Sequence, residues 1–351
     1  MKFIDFFSGI GGFHSGLERA GMECVGWCEF DKFAQASYRA MYNTDDLWFG
    51  SDVTKVKGKD LPKADLWTFG FPCQDISIAG KQKGIKEGTR SGLFYEIMRL
   101  IDECEENKPK WIMCENVKNL LSIDGGGGFL TVVSEMAERG YCIEWKVYNS
   151  KDYGVPQNRE RVYIVGYIGE QCTRGLLPIK RESTTVIEQV GNLRETNSFG
   201  GNPQTGRVYS TRGIAPTINT CGGGDREPKI LNAMPCLTPD REEKRQNGRR
   251  LKEDGEPAFT LTNQDRHGVL INEENESGCK EISIRKLTPK ECWRLQGFTD
   301  EQFDKAAAVN SNSQLYKQAG NAVTVNVVEE IGKHIMKVNA YGDDNEKRYI
   351  G

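Results

Sequence analysis

The alternation of short apolar runs with helical patterns, from the N-terminus to about residue 170, most constrains the fold of this chain. The chain opens with a strand-like run at 3–7, a glycine turn, a helical pattern that ends near Gly21 and a second apolar run at 24–28. Further apolar runs follow at 65–69, 111–114, 142–147 and 162–168, with helical patterns at 93–104 and 129–139. Strands that alternate with helices pair in parallel. The sequence therefore predicts the α/β class, with a doubly wound, mostly parallel sheet.

The composition changes near residue 175, which predicts a second domain. From there to 284 the chain is rich in Gly, Pro, Asn, Thr and charge, and helical patterns return at 288–297 and 322–338. A length of 351 residues suits one large and one smaller domain. We predict a large domain at 1–174, a smaller strand-and-loop domain at 175–284, and a C-terminal segment at 285–351 that closes the large domain.

Cysteine usage and hydropathy indicate the compartment. The eleven cysteines are scattered without paired C-x-x-C spacing, and only three histidines are present, so neither a disulfide framework nor a metal site is predicted. No run approaches the ~20 apolar residues of a membrane span, and the N-terminus begins with a strand-like run where a signal peptide would stand. We expect a cytoplasmic, monomeric protein.

Charge is distributed unevenly along the chain. A formal net charge of −3 argues against a protein that coats nucleic acid indiscriminately. The segment 241–252 nevertheless holds six basic and two acidic side chains. The average therefore conceals a local basic segment within the predicted second domain.

Glycines follow the first predicted strand and precede the first helix. Gly9, Gly11 and Gly12 allow close approach of a ligand to the backbone, and Glu29 follows the next strand, where a carboxylate can hold a ribose. His14 replaces the third glycine of a dinucleotide fingerprint, so a pyrophosphate has no obvious site. The motif favours a nucleoside cofactor, but glycines required only for the turn explain it about as well.

Cys73 follows the predicted strand at 65–69, at the edge of the sheet where ligands bind in open α/β folds. A lone cysteine is more often a small buried hydrophobe. Pro72 and the Gly- and Lys-rich segment at 80–84 instead place this one on a loop. Glu115 ends the neighbouring apolar run, so a thiol and a carboxyl are predicted at one sheet edge, although a carboxylate at a strand end is commonly only a solvated group.

Taken together and in this order, these segments resemble the C5-cytosine DNA methyltransferase family of the bacterial restriction-modification type, and the likeness spans nearly the whole chain. The matching segments are 5–13 (DFFSGIGGF), 70–74 (GFPCQ) with Ser77, 115–117 (ENV), 157–161 (QNRER), 285–298 (RKLTPKECWRLQGF) and 318–323 (QAGNAV). The resemblance implies a Rossmann-like, S-adenosylmethionine-dependent methyltransferase fold.

The resemblance also implies catalytic roles. Carbon 5 of cytosine is a weak nucleophile, so a thiolate must first add at carbon 6, and Cys73 is the implied nucleophile. Glu115 would hydrogen-bond or protonate N3 of the ring. Arg161 would hold the flipped base, and Arg159 would order the loop that carries Cys73. The sequence indicates no base for removal of the proton from carbon 5.

S-adenosyl-L-methionine is the implied cofactor, with S-adenosyl-L-homocysteine as product. Glu29 would bind the ribose, and Phe30 would lie against the adenine. The expected cofactor-binding residues are Phe7, Gly9, Ile10, Gly12, Glu29, Phe30, Asp52, Val53, Pro72, Leu93, Asn321 and Val323.

Double-stranded DNA is the implied partner, and the target nucleotide has to be flipped out because its reacting carbon lies inside the base stack. The segment 206–217 resembles the recognition segment of small bacterial methyltransferases with GC-rich sites. Arg207 would then read a guanine edge, Gln204 would enter the vacated space, and Thr217 would contact the target phosphate. The expected DNA-binding residues are Gln74, Ser77, Gln204, Arg207, Thr217, Gly222 and Gly223.

One segment departs from the family pattern. About 40 residues are inserted after Lys229, and within them 250–262 loosely echoes 207–220. Two similar hairpins and a second recognition element explain this echo equally well. The recognition sequence, a cognate endonuclease in the cell, and a host or phage origin stay open.

Three other functions agree with parts of the sequence. The same chemistry on transfer RNA is disfavoured by the long variable region, because the RNA-acting relatives have a short one. A nicotinamide-dependent oxidoreductase with a reactive thiol is disfavoured by the missing third glycine. A DNA-binding protein without activity is disfavoured because Cys73, Glu115 and Arg161 are all present.

Overall fold

The computed structural model describes residues 1–71, 92–169, 175–178, 189–192, 207–210, 215–217, 229–231, 234–237, 267–270, 285–286 and 288–349. Its contacts divide the chain into two units. The first comprises Met1–Thr184, Thr217–Thr220 and Pro289–Gly351, and the second comprises Thr185–Pro216 and Cys221–Thr288. The C-terminal segment therefore belongs to the same unit as the N-terminus.

The first unit is built on a seven-stranded sheet. Its strands are β1 (Lys2–Phe6), β2 (Glu23–Cys28), β3 (Trp48–Gly50), β4 (Leu66–Phe69), β5 (Trp111–Val117), β6 (Cys142–Asn149) and β7 (Glu160–Tyr167). They lie in the order β3-β2-β1-β4-β5-β7-β6. The pairings from β3 to β5 are parallel, whereas β7 runs antiparallel to both β5 and β6. The predicted mostly parallel α/β sheet is confirmed.

The antiparallel strand has a simple cause. A parallel crossover needs a dozen or more residues, usually with a helix. Residues 150–159 between β6 and β7 form only a short 3₁₀ turn (Ser150–Tyr153) and a two-residue strand (Gln157–Asn158). The chain therefore returns beside β6 in the opposite direction.

Eight helices are described: α1 (Gly12–Arg19), α2 (Lys32–Met41), α3 (Leu93–Glu103), α4 (Gly127–Glu138), α5 (Pro289–Arg294), α6 (Asp300–Ala307), α7 (Asn312–Asn321) and α8 (Val325–Tyr349). The sequence did not predict α2, β3, α6 or α7. In α2 the buried face includes the small residues Ala34 and Ser37, so its apolar period is weak. No helix among the described residues is long and apolar enough to cross a membrane.

Two hydrophobic clusters cover the sheet. One joins Trp67 and Ile112 to Phe94 and Ile97 of α3 and to residues of α4. The other joins Phe3 and Met113 to residues of α1 and α8. Five described cysteines are buried free thiols, but Cys142 is disulfide-bonded, which the scattered spacing did not predict.

In the second unit the described strands are short. They are β8 (Gln189–Asn192), β9 (Arg207–Ser210), Ala215–Pro216, β10 (Lys229–Leu231), β11 (Met234–Leu237), β12 (His267–Leu270) and β13 (Arg285–Lys286). One sheet has the order β13-β10-β9-β8, and β11 pairs with β12. The unit is a strand-and-loop body in the part that the structure describes.

Candidate active site

Polar side chains lie on one face of the sheet at the carboxyl ends of the central strands. Phe3 and Met113 pack in the cluster that contacts α1 and α8. Side chains alternate along a strand with a period of two, so Asp5 and Glu115 lie on that same face. Both are buried, with relative exposures of 0% and 8%. Two acidic groups are thus buried on one face of the sheet.

Glu115 lies within β5, whereas the apolar run at 111–114 predicted a strand that ends just before it. Antiparallel pairing with β7 carries β5 on to Val117, with Glu115 opposite Tyr163 and Val117 opposite Arg161. The carboxylate is therefore held by a regular strand. Burial raises the pKa of Glu115, while the positive charges of Arg161 and Arg159 act in the opposite direction.

Arg161 pairs with Glu115. Its Nε lies 3.1 Å from Oε1 of Glu115, but the two groups are not aligned as a hydrogen bond, and Oε1 accepts none among the described residues. Such a carboxyl retains capacity for a further polar partner. Because its pKa is raised, it can carry a proton nearer to neutral pH than an exposed glutamate can.

The next residue anchors the backbone that leads to Cys73. Nδ2 of Asn116 donates to the carbonyl of Phe71 (3.1 Å), and both residues are 2% exposed. A Cβ added to Gly70 would lie 3.4 Å from Oε2 of Glu115. The loop base and the carboxyl are therefore adjacent. Cys73 itself lies outside the described residues.

Arg159 contacts the C-terminal end of α7. Its Nη2 donates to the carbonyls of Gly320 (3.1 Å) and Ala322 (2.8 Å), and the residue is only 3% exposed. These carbonyls flank Asn321. The segment next to Glu115 is thus joined to one of the segments predicted to bind a cofactor.

Two of the three glycines in the β1–α1 turn have different surroundings. Gly9 has φ +56°, and a Cβ at this position would meet nothing within 4 Å. Gly12 is close-packed: a Cβ there would lie 2.6 Å from Cγ2 and 2.7 Å from the carbonyl oxygen of Val323. Gly9 therefore borders open space, while Gly12 serves close approach to the C-terminal segment.

Glu29 closes this turn from β2. Its Oε2 accepts from the backbone N–H of Gly9 (2.8 Å), and its Oε1 accepts from that of Asp31 (2.7 Å). Burial raises the pKa of Glu29. Phe30, the next residue, is 78% exposed, an unusual position for a large aromatic ring. The pair presents carboxylate oxygens and an uncovered ring beside the open turn, which suits a ribose and an adenine.

Six further predicted cofactor residues are described. Phe7 has φ +54° and Ile10 is buried. Asp52 accepts from the N–H of Thr54 (3.1 Å) and caps a 3₁₀ turn that buries Val53. Leu93 begins α3, and Asn321 ends α7 on the surface.

Two predicted DNA-contacting residues are described. Thr217, within the first unit, is exposed and donates from Oγ1 to the carbonyl of Asn158 (2.6 Å), next to Arg159. Arg207 begins β9 of the second unit. The others, together with the predicted nucleophile and one predicted cofactor residue, lie outside the described residues: Pro72, Cys73, Gln74, Ser77, Gln204, Gly222 and Gly223.

Sequence reasoning assigned no role to several buried polar residues near the site. Asn116 belongs to the motif at 115–117, but the motif does not indicate that its side chain anchors Phe71. Ser150, Gln296 and Thr324 are almost fully buried and hydrogen-bonded to one another. A polar residue inside an apolar run is the available signal, but it does not identify the partner.

Comparison with known proteins gives a consistent result. The family model described as C-5 cytosine-specific DNA methylase matches residues 1–337. The Orphan methyltransferase M.SPBetaI of Bacillus phage SPbeta is 37% identical, over 96% of this chain and 97% of that protein. The Type II methyltransferase M.HhaI of Haemophilus parahaemolyticus is 33% identical, over 95% of this chain and 94% of that protein.

Solved structures share the fold. The Entamoeba histolytica methyltransferase EhMeth superposes with a TM-score of 0.63 at 16% identity, covering 96% of this chain and 98% of that one. The S. pombe Dnmt2 methyltransferase gives 0.60 at 17% identity, covering 96% and 99%. At these identities the likeness concerns the fold alone. With the family model matched over nearly its whole length, the chain belongs to the C-5 cytosine-specific DNA methylase family and is a cytosine-5 DNA methyltransferase.

Proposed function

We propose that this enzyme transfers the methyl group of S-adenosylmethionine to carbon 5 of a cytosine that is flipped out of duplex DNA, with Cys73 as nucleophile. The observation that carries the proposal is the buried Glu115–Arg161 pair beside Gly70 and Phe71, from which the chain continues to Cys73. A carboxyl and a thiol that act on one pyrimidine ring require such proximity.

The chemistry assigned to the residues is as follows. The thiolate of Cys73 forms a bond to carbon 6, and the ring electrons move towards N3, where Glu115 donates a hydrogen bond or a proton. The raised pKa of Glu115 favours the protonated form that this role requires. Arg161 holds the base and limits the rise of that pKa. Once carbon 5 carries the methyl group, its proton would pass to water, and the electrons of that C–H bond would restore the C5–C6 double bond while the C6–S bond breaks and releases the thiolate of Cys73.

The turn at 7–12 suits the proposed cofactor. The cofactor would occupy the open space beside Gly9. Its ribose would bind the carboxylate of Glu29, and its adenine would lie against the exposed ring of Phe30. When bound there, S-adenosylmethionine supplies an electrophilic methyl group on a sulfonium. The segment 321–323, which is tied to Arg159, would complete the pocket.

The second unit would recognise the DNA. The segment 206–217 resembles the recognition segment of small bacterial methyltransferases with GC-rich sites, so a specific and GC-rich DNA site is proposed. Arg207 would contact a guanine edge, and Thr217 would contact the target phosphate. Action as the modification enzyme of a restriction-modification system is proposed from the likeness to M.HhaI, which is named a type II methyltransferase. Flipping costs a few kcal/mol, which protein contacts to the base and backbone would offset.

The experiment compares transfer of tritiated methyl from S-adenosylmethionine to duplex DNA and to transfer RNA. We expect incorporation into DNA, no turnover by Cys73→Ser, and a fall of about 10²- to 10⁴-fold in Glu115→Gln. Cys104→Ser, a buried thiol at the end of α3, is the matched control and should remain active. Incorporation into transfer RNA alone would contradict the proposed DNA substrate. Full activity of Cys73→Ser would show that Cys73 is not the nucleophile.

A further inference from the structure

Five polar side chains form a buried group that the proposed chemistry does not explain. This group, the buried polar seam, consists of Ser150, Gln157, Arg159, Gln296 and Thr324, each at most 3% exposed. Burial of polar atoms is costly unless they are hydrogen-bonded, and a satisfied network fixes one arrangement of the segments that it joins. The bonds of the seam therefore show which segments are held together.

The first hydrogen bonds join Arg159, just before β7, to the C-terminal segment through Ser150. The backbone N–H of Ser150 donates to the carbonyl of Arg159 (3.0 Å), and Oγ of Ser150 lies 2.7 Å from Oγ1 of Thr324. Thr324 donates to Oε1 of Gln296 (3.0 Å), because an amide oxygen can only accept. The single hydroxyl proton of Thr324 is thus used, so Ser150 donates across the 2.7 Å contact to Thr324 in preference to the carbonyl of Arg159, which lies 3.4 Å from the same Oγ.

The remaining bonds close a ring. Nε2 of Gln296 donates to the carbonyl of Ala319 (2.7 Å), one residue before the first of the two carbonyls that Arg159 contacts. A chain of hydrogen bonds thus passes from Arg159 through Ser150 and Thr324 to Gln296. Both of its ends bond to carbonyls at the end of α7. Alongside, Nε2 of Gln157 donates to the carbonyl of Leu295 (2.8 Å).

This ring bears on the site through Arg161, which lies two residues after Arg159, near the beginning of β7. Apolar packing would allow the beginning of β7 to slide against α7, whereas directional hydrogen bonds do not. We propose that Thr324 and Gln296 are positioning residues for the methyl transfer, which hold the Arg159–Arg161 segment in register with Glu115 and with the cofactor segment at 321–323. This inference rests on the proposed function.

The test is a set of variants that each remove one buried hydroxyl. Thr324→Val keeps the shape and breaks the ring, and Thr324→Ser restores the hydroxyl. Tyr141→Phe is the matched control, because Tyr141 is buried and donates to the carbonyl of Pro109 (2.8 Å), at the far end of the sheet. The assay is single-turnover incorporation of tritiated methyl into unmethylated plasmid DNA, with the KM for S-adenosylmethionine and the melting temperature measured beside it.

We expect the single-turnover rate of Thr324→Val to fall by up to about 10²-fold, the loss that a misplacement of about 1 Å causes. Thr324→Ser should recover most of the rate. Tyr141→Phe should lower the melting temperature to a similar extent while its rate stays within about twofold of the wild type. A fall in the single-turnover rate, reversed by serine and absent from the control, would support the inference.

Equal rates in Thr324→Val and Tyr141→Phe, with an active wild type, would overturn the inference and leave the proposed function intact. No incorporation by the wild type would overturn both. Should Thr324→Val not fold, Ser150→Ala decides, because it removes the same bond and retains the backbone N–H to Arg159. An unchanged rate in Ser150→Ala would then exclude the positioning role.

Discussion

Burial changes what the acidic residues of this fold can do. Asp5 is fully buried at the end of β1 and accepts from Oγ1 of Thr68 (3.1 Å) and from the backbone N–H of His14. Desolvation nevertheless dominates and raises the pKa of Asp5 to about 8. The residue is therefore protonated at pH 7, where an exposed aspartate is charged.

Asp5→Asn should become more stable relative to the wild type as pH rises. Below about pH 4 the aspartate is protonated in both the folded and the unfolded states. Between about pH 4 and 8 only the unfolded state ionises, so the wild type loses up to about 1.4 kcal/mol of stability per pH unit from this group. Urea unfolding at pH 5 to 8 measures the difference, with the exposed Asp45→Asn as control. A difference that does not change with pH would contradict the assignment.

At this scale the sequence predicts residue types well and their environments poorly. Glu115 and Arg161 were predicted from their motifs, and the structure brings them together. The raised pKa of Asp5 comes from its burial in the folded unit, and the anchoring of Phe71 by Asn116 joins residues 45 positions apart in the chain. Those neighbours are set by the pairing of strands, which local patterns do not specify.

The β1–α1 turn shows how an element depends on its contacts. Gly9 and Gly12 look alike in the sequence but serve different needs. Gly9 requires a left-handed φ next to open space, and Gly12 requires room beside Val323.

Gly12→Ala should therefore cost more than Gly9→Ala. At Gly9 an alanine pays only the left-handed strain of about 1–2 kcal/mol. At Gly12 the new methyl group meets the backbone carbonyl of Val323 at 2.7 Å, so shortening the valine side chain cannot relieve the clash. We expect Gly12→Ala to lose more stability and cofactor affinity, measured by denaturant unfolding and calorimetry. Rescue of Gly12→Ala by Val323→Ala would contradict this explanation.

Element boundaries follow the same rule. The predicted strand at 111–114 extends to Val117, because β7 pairs along its whole length. The predicted final helix at 322–338 begins only at Val325, since Ala322 is extended, and it continues to Tyr349. Tertiary pairing and the end of α7 moved these boundaries, although the elements themselves were predicted.

The fold of the first unit brings distant segments of the chain towards the proposed cofactor pocket. The residues proposed to bind the cofactor include members of the turn at 7–12, of 29–53 and of 321–323. Val323, in the last of these segments, packs on Gly12. A ligand bound there would hold the two ends of the chain together. Its binding should therefore stabilise the whole first unit.

S-adenosylhomocysteine at 100 times its Kd should stabilise the protein by about 2.7 kcal/mol, seen as a higher melting temperature. Phe30→Ala should lose much of this shift, because aromatic stacking on a base is worth about 1–3 kcal/mol. Phe33→Ala, 40% exposed and one turn later, is the matched control. A shift with a nicotinamide dinucleotide and none with S-adenosylhomocysteine would contradict the proposed cofactor.

The sequence by itself determined the α/β class and the family, and it indicated Glu115, Arg159 and Arg161 as candidate site residues, because strand and helix periods and short motifs are local properties of the chain. Only the tertiary structure decided that Glu115 is buried inside a strand, that Arg159 binds carbonyls of Gly320 and Ala322, and that Thr324 meets Ser150. Those contacts join residues up to 174 positions apart. Such pairs are selected by the packing of the whole unit, and no local pattern encodes them.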